Sequence, residues 1–118
     1  MHAQTTPLPE FSVHVAPSPE GGTDVAVFGE LDLSTAKRAE RTLKQVLAAE
    51  GDVVIDLRAC PFIDSSGIAV LLGAALRLRE QERRVRIRGV RRRMMRTLEI
   101  AGMMAQEGIE IEPQEPAH

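Results

Sequence analysis

The chain has 118 residues, of which 43% are hydrophobic and 27% are charged, and its formal net charge is −2. These values are typical of one ordinary globular domain with a modest core, and they exclude a strong overall attraction to nucleic acid or to an anionic membrane. Cys60 is the only cysteine, which excludes an internal disulfide and a cysteine-rich zinc site and favours a reducing compartment.

The first ten residues, "MHAQTTPLPE", lack the basic cluster and the apolar segment of a secretion signal. The longest nearly unbroken apolar run, residues 68–76, is far shorter than the ~20 residues that a membrane span needs. We therefore predict a cytoplasmic protein that does not contact a membrane. Residues 1–10 are predicted to be a flexible leader and residues 113–118 a flexible tail, on either side of a single domain at 11–112.

The domain begins with two runs of alternating polar and apolar residues, "FSVHVA" and "DVAVFG". The segment between them, "PSPEGGT", is rich in proline and glycine, so the pair is predicted to form an antiparallel hairpin. In "TAKRAERTLKQVLAAEG" the apolar residues recur at helical spacing, which predicts an amphipathic helix that ends near Gly51.

Strands and helices then alternate to the end of the domain. The segments "VVIDL", "RVRIR" and "GIEIE" are predicted to be strands, and "SSGIAVLLGAALRLREQE" and "RRRMMRTLEIAG" to be helices. The resulting order is ββαβαβαβ. It predicts an α/β fold with a small, mostly parallel mixed sheet, crossover helices and an antiparallel hairpin at the start.

Polar residues cluster where the strand "VVIDL" leads into the second helix. Asp64, Ser65 and Ser66 stand there, and the loops that follow parallel strands meet at the carboxyl edge of the sheet, where α/β proteins expose their sites. Either Asp64 or Ser65 is suited to cap the helix, and the same place suits an exposed, modified serine. Gly67 leaves room for an approaching group or for close packing of helix on strand. Asp32 follows the second strand, where it either lies near this cluster or caps the first helix.

An enzyme is not predicted. The nucleophile elbow of hydrolases has the pattern G-x-S-x-G, but Ile63 stands two residues before Ser65. A general base is also missing, because His2 and His118 lie in the predicted flexible ends and His14 lies in the first strand. The chain contains no P-loop or dinucleotide fingerprint, and neither a cofactor nor a metal is predicted.

Three blocks of the sequence carry a family resemblance. They are "FGELDLSTA" at 28–36, "VVIDLRACPFIDSSGIAVLLGA" at 53–74 and "RRRMMRTLEIAGM" at 91–103. In this order they resemble the signature blocks of the STAS domain, in the subgroup of bacterial anti-sigma factor antagonists. The resemblance implies a STAS-type fold and a protein that binds an anti-sigma factor, so that a sigma factor is released.

The resemblance also implies a switch. In that family the anti-sigma factor is often a serine kinase that phosphorylates the first serine of D-S-S-G, here Ser65, and a phosphatase removes the phosphate. Asp32 and Asp64 are then acids of the same partner-binding surface, together with Ser66 and Gly67. The alternative is a constitutive STAS interaction module of a signalling or transport assembly, which is never phosphorylated.

Residues 77–96 are strongly basic, with ten arginines against two glutamates. The chain has no tyrosine or tryptophan to stack on bases, so direct binding of nucleic acid is not predicted. We expect solvated faces of a strand and a helix, or a patch that steers an acidic partner. The turn "QERR" before this strand lacks the glycine that the family commonly has there, which leaves the geometry of that turn open.

Overall fold

The computed structural model describes residues 10–114. Its strands are β1 (Ser12–Pro17), β2 (Thr23–Phe28), β3 (Val53–Asp56), β4 (Val85–Val90) and β5 (Ile109–Pro113). Its helices are α1 (Ala36–Leu47), α2 (Ser65–Glu80) and α3 (Arg92–Ile100), followed by a 3₁₀ turn at Met103–Ala105. Every predicted element is present, in the predicted order.

The predicted leader and tail lie almost entirely outside the described residues. At the carboxyl end, β5 continues through Pro113, and the Gln114 amide donates to the Val90 carbonyl at 2.8 Å. Strand β5 therefore extends one residue past the predicted boundary at 112. Between residues 10 and 114, no helix has the length and apolar character that crossing a membrane requires.

The five strands form one sheet in the order β1-β2-β3-β4-β5. β1 and β2 pair antiparallel, and every other neighbouring pair is parallel. Crossovers between parallel strands are right-handed, and here each moves one strand further in the same direction, so all three helices lie on one face. The strand register supports this placement of the helices on one face. The paired residues Val25, Ile55 and Ile87 are all buried, while their neighbours along each strand are half-buried.

The core between the sheet and the helices is aliphatic. Its fully buried side chains include Leu31, Ile55, Leu71, Ile87 and Leu98. None of the three phenylalanines is buried. The buried interior is therefore filled by aliphatic side chains and methionine, and Phe11 packs against it from a partly buried position.

The turn between α2 and β4 closes without a glycine. The Arg83 amide donates to the Leu78 carbonyl at 2.9 Å and the Glu82 amide to the Arg79 carbonyl at 2.8 Å, which is the double hydrogen bond of a Schellman C-cap. Glu82 has a φ of 61° and is the only described non-glycine residue with a positive φ. It occupies the left-handed position that glycine usually takes.

Arg83 is not a solvated surface arginine. Its side chain is buried and donates to the carbonyls of Val46 at 3.1 Å, Leu47 at 3.3 Å and Gly51, and to the Gln81 side chain at 2.8 Å. It thereby caps the carboxyl end of α1, where unpaired carbonyls and the helix dipole favour a cation. The expectation of a solvated face is wrong for this residue, because a run of arginines does not reveal which one meets a helix end.

Replacing Arg83 with Gln removes a guanidinium that satisfies several carbonyls, and we expect the free energy of unfolding to fall by about 2 to 3 kcal/mol. Arg84→Gln is the matched control, since Arg84 is exposed; its expected loss is below about 0.5 kcal/mol. Urea unfolding followed by circular dichroism measures both. Equal losses in the two variants would contradict the capping role of Arg83.

Candidate functional site

Asp64 is the N-cap of α2. Its backbone is extended, with φ −106° and ψ −174°, and its Oδ1 accepts hydrogen bonds from the amides of Ser66 at 2.9 Å and Gly67 at 3.1 Å. Of the two residues that the sequence offered as caps, the structure selects Asp64. This choice determines what the neighbouring serines are free to do.

The same carboxylate joins α2 to the loop after β2. Its Oδ2 accepts from the Leu33 amide at 3.2 Å, and the Asp64 amide donates to the Leu31 carbonyl at 3.2 Å. Leu31 and Ile63 also form an isolated parallel bridge. The ends of β2 and β3 are therefore held together, which brings the segment that carries Asp32 beside Asp64 as the sheet topology suggested.

Asp32 closes the turn that precedes α1. Its Oδ1 accepts from the Ser34 hydroxyl at 2.7 Å and the Ser34 amide at 2.9 Å, and its amide donates to the Thr35 hydroxyl at 2.9 Å. The bond from the Ser34 hydroxyl, opposed by partial burial and reinforced by the nearby amides, lowers the pKa of Asp32 below its ordinary 3.8. Asp32 is therefore an anion at neutral pH, and its turn-closing role does not remove it from the surface, where it is half-buried.

Gly67 lies beneath this surface. A Cβ atom at this position would stand 2.5 Å from the Leu31 carbonyl oxygen, 2.7 Å from the Leu31 Cγ and 2.8 Å from the Ile63 Cγ1. Close packing of helix on strand thus accounts for the glycine. It lets α2 begin against the bridged loops, and it supports the face without lying on it.

Ser65 is the first residue of α2 and is exposed, while Ser66 is half-buried. Among residues 10–114, no side chain or backbone group forms a hydrogen bond with either hydroxyl. Because Asp64 already satisfies the amides at the helix start, the Ser65 hydroxyl is available to an external group. Its position is set by the cap next to it.

Two exposed apolar side chains, which sequence reasoning missed, flank this cluster. Leu33 is 77% exposed and follows Asp32, and Phe62 is 49% exposed and precedes Ile63 and Asp64. A usable signal was the scarcity of aromatic residues, since one of only three phenylalanines stands in the loop directly before "IDSSG". Large apolar side chains beside a polar cluster are typical of an interface.

Cys60 supports the loop that presents Phe62. The thiol is fully buried and donates to the Phe62 carbonyl at 3.3 Å. Burial raises the pKa of the Cys60 thiol, with the nearby amides of Leu31 and Phe62 opposing the shift. Cys60 is therefore a protonated, small core residue.

The described histidine lies away from Ser65. His14 is on the edge strand β1, two strands from β3; its Nε2 lies 3.1 Å from the Ser12 hydroxyl, and its ring packs edge-on against Phe28. His2 and His118 lie outside the described residues. The cluster around Asp64 therefore has the features of a binding surface: anionic groups, an available hydroxyl and exposed apolar anchors.

A protein family matches most of the chain. The family model described as "Mlab, STAS domain" matches residues 16–109. The chain belongs to the STAS domain family. The STAS-type fold that the three sequence blocks predicted is thus confirmed, including the small mixed sheet and its amino-terminal hairpin.

Relatives of this STAS domain include proteins named as anti-sigma factor antagonists. It is 35% identical over 81 residues to the anti-sigma-B factor antagonist of Listeria monocytogenes, covering 68% of this chain and 71% of that protein. The structure of an anti-sigma factor antagonist from Mycobacterium paratuberculosis is similar, with a TM-score of 0.71 and 27% identity over 86% of both chains. The Bacillus anti-sigma factor antagonist SpoIIAA, in its unphosphorylated form, has the same fold at 16% identity, with a TM-score of 0.67 over 91% of this chain and 90% of that one.

Because Asp64 is the cap, substitutions at two neighbouring residues of the STAS domain should change the free energy of unfolding by different amounts. Asp64→Ala loses both amide bonds at the start of α2, and we expect the free energy of unfolding to fall by about 1 to 2 kcal/mol. Ser65→Ala removes a hydroxyl that satisfies no group of the described chain, so its expected loss is below about 0.5 kcal/mol. Thermal and urea unfolding measure both variants. A larger loss for Ser65→Ala than for Asp64→Ala would reassign the cap to Ser65.

Proposed function

We propose that this STAS domain is an anti-sigma factor antagonist. It binds an anti-sigma factor while Ser65 carries a free hydroxyl, so that a sigma factor is released, and phosphorylation of Ser65 ends the binding. The observation that carries the proposal is the exposed, unengaged Ser65 hydroxyl at the first position of α2. The names of the Listeria and Mycobacterium relatives support the partner class.

The proposed binding face consists of the groups that the Asp64 cap assembles. Asp32, Asp64 and Ser66 are its half-buried polar residues, and Ser65 is its exposed centre. Gly67 belongs to it only as the residue that lets α2 approach the loops. The domain acts in the cytoplasm and by binding alone, without a reaction of its own.

Ser65 is a better phosphoacceptor than Ser66 for a physical reason. A kinase must place the hydroxyl in line with the phosphate that is transferred, and this requires access from outside. Ser65 is exposed, whereas Ser66 is half-buried and lies one residue further into the helix. The choice agrees with the family pattern, in which the first serine of D-S-S-G is modified. The proposed partners are therefore an anti-sigma factor with serine kinase activity and a phosphoserine phosphatase.

Phosphorylation should leave the domain folded. It adds about −1.5 to −2 charges at neutral pH, and a helix amino terminus attracts such a group because its amides and its dipole are positive. The added phosphate lies next to Asp64, whose repulsion is screened because Ser65 faces water. The cap bonds to Ser66 and Gly67 do not involve the Ser65 hydroxyl, so phosphorylation does not break them.

The complex responds differently, because a partner surface shaped for a neutral hydroxyl would have to bury the phosphate. Removing such a charge from water without a matching cation costs several kcal/mol. Each 1.4 kcal/mol is a tenfold change in affinity. Even partial burial therefore releases the partner.

Ser65→Asp is expected to remain folded and to bind the anti-sigma factor at least about tenfold more weakly. Ser65→Ala is expected to bind and to resist phosphorylation. After incubation with the purified anti-sigma kinase of the same bacterium and ATP, mass spectrometry of the peptide "FIDSSGIAVLLGAALR" should find one phosphate, on Ser65. Ser66→Ala is the control and should be phosphorylated like the unmodified protein. Phosphate on Ser66 alone, or no phosphate with an active kinase, would favour the constitutive STAS module that is never phosphorylated.

The exposed apolar residues give a second expectation. Leu33→Ala and Phe62→Ala each remove a side chain that binding would bury, and each should weaken the complex by about tenfold or more. Ile100→Ala is the matched control, because Ile100 is 81% exposed but lies at the carboxyl end of α3, away from the loops that carry Ser65. Calorimetry of the three variants with the anti-sigma factor measures the difference. An effect of Ile100→Ala that exceeds both others would move the interface to the other end of the domain.

A further inference from the structure

A groove of about 510 Å³ opens next to the proposed binding face. One wall comes from the loop after β3 and the other from the start of α3. Its lining residues are Pro61, Phe62, Ile63, Arg91, Arg92, Arg93, Met94 and Thr97.

The sheet topology accounts for this position. β3 and β4 are parallel neighbours, so the segments that follow them emerge at the same edge. β4 ends at Val90 and α3 begins at Arg92, which places the three arginines beside residues 61–63. Ile63 lines the groove and directly precedes Asp64. The groove and the Ser65 cluster are therefore adjoining parts of one surface.

Several arginines of the basic run have structural roles elsewhere. Arg83 caps α1, Arg86 forms an ion pair with Glu112 at 2.6 Å, and Arg79 donates to Gln106 at 3.2 Å. The basic run is therefore not one uniform patch. Its members at the groove have to be considered separately.

The groove arginines are not neutralised within the fold. All three are exposed, and within residues 10–114 none of them lies within 4.0 Å of a carboxylate. Arg91 is held at the rim, because its guanidinium donates to the Arg58 carbonyl at 3.1 Å. Arg92 and Arg93 present their charge to solvent. Three cations in sequence beside a groove favour an anionic occupant.

The groove also has an apolar component. Ile63 and Met94 are buried at 6% and 4% exposure and form its base, while Phe62 stands at its side with half of its surface exposed. A simple anion would be attracted by the arginines but would leave this apolar surface exposed to water. A peptide segment that carries both carboxylates and one apolar side chain would use both components.

We infer that the groove docks an acidic segment of a protein partner, with an apolar side chain placed against Phe62 and Met94. The surface is then electrically divided, with the acids Asp32 and Asp64 at one end and the arginines at the other. Such a division admits a complementary partner in one orientation only. As a contact for the anti-sigma factor the inference rests on the proposed function, but the docking of an acidic segment does not require that function.

Synthetic peptides test the groove without the natural partner. The probe contains four glutamates around one leucine, Glu-Glu-Leu-Glu-Glu, and is titrated into the isotope-labelled domain with amide NMR detection. The amide signals of Phe62, Ile63 and Met94 should shift. In the variant with Arg91, Arg92 and Arg93 all changed to Gln, the affinity should fall by about tenfold or more. A control variant with exposed arginines changed elsewhere, Arg41, Arg77 and Arg84 to Gln, should bind as the unmodified domain does.

Further comparisons decide between occupants. The peptide with alanine in place of leucine should bind several-fold more weakly, and raising the salt from 0.1 M to 1 M, where the screening length falls from about 10 Å to about 3 Å, should weaken both peptides. Equal shifts with inorganic phosphate would overturn the inference in favour of a plain anion site. Tighter binding of duplex DNA, lost in the same triple variant, would overturn it in favour of nucleic acid. Absence of any shift with the leucine peptide would also overturn it, and would leave the Ser65 switch unaffected.

Discussion

Three hydrogen bonds to the carboxylate of Asp64 hold together the edge of the domain that carries Ser65. One oxygen holds the first amides of α2 and the other holds the Leu33 amide of the loop after β2. A single side chain thus sets the start of a helix and the position of a neighbouring loop. Because its two oxygens satisfy both sets of amides, neither Ser65 nor Ser66 is needed as a cap. The Ser65 hydroxyl is free for that reason.

Elsewhere in the domain, too, the residues that hold the fold together differ from those that are exposed for binding. Gly67 brings α2 against Leu31 and Ile63, and none of the buried core residues is a phenylalanine. Phe62 is consequently available for the surface. At the other end of α1, Arg83 satisfies the helix carbonyls from within. Packing and hydrogen bonds thus secure the scaffold without using the Ser65 hydroxyl.

Much of this arrangement could be predicted from the sequence. Apolar periodicity identifies every strand and helix, because these signals are local and repeat with the geometry of each element. The D-S-S-G block marks the loop between β3 and α2, where Ser65 is exposed. The choice of Asp64 over Ser65 as the cap could not be predicted, since both side chains suit an N-cap and the outcome depends on the contact with Leu33. Burial of Arg83 was missed for a similar reason: the carbonyls to which it donates are 32 to 37 residues away. The exposure of Leu33 and Phe62 is also a tertiary property, because the same residues in a longer strand would be core.

We propose that phosphate on Ser65 acts by its charge on a scaffold that stays fixed. The most direct measurement compares amide NMR spectra and hydrogen exchange of the domain before and after phosphorylation. We expect the Ser66 and Gly67 amides to remain protected by Asp64, and signals to change only near the edge that carries Asp32 and Ser65. Loss of protection through the first turn of α2, or changes that spread across the sheet, would contradict it and show that the switch works by rearranging the fold.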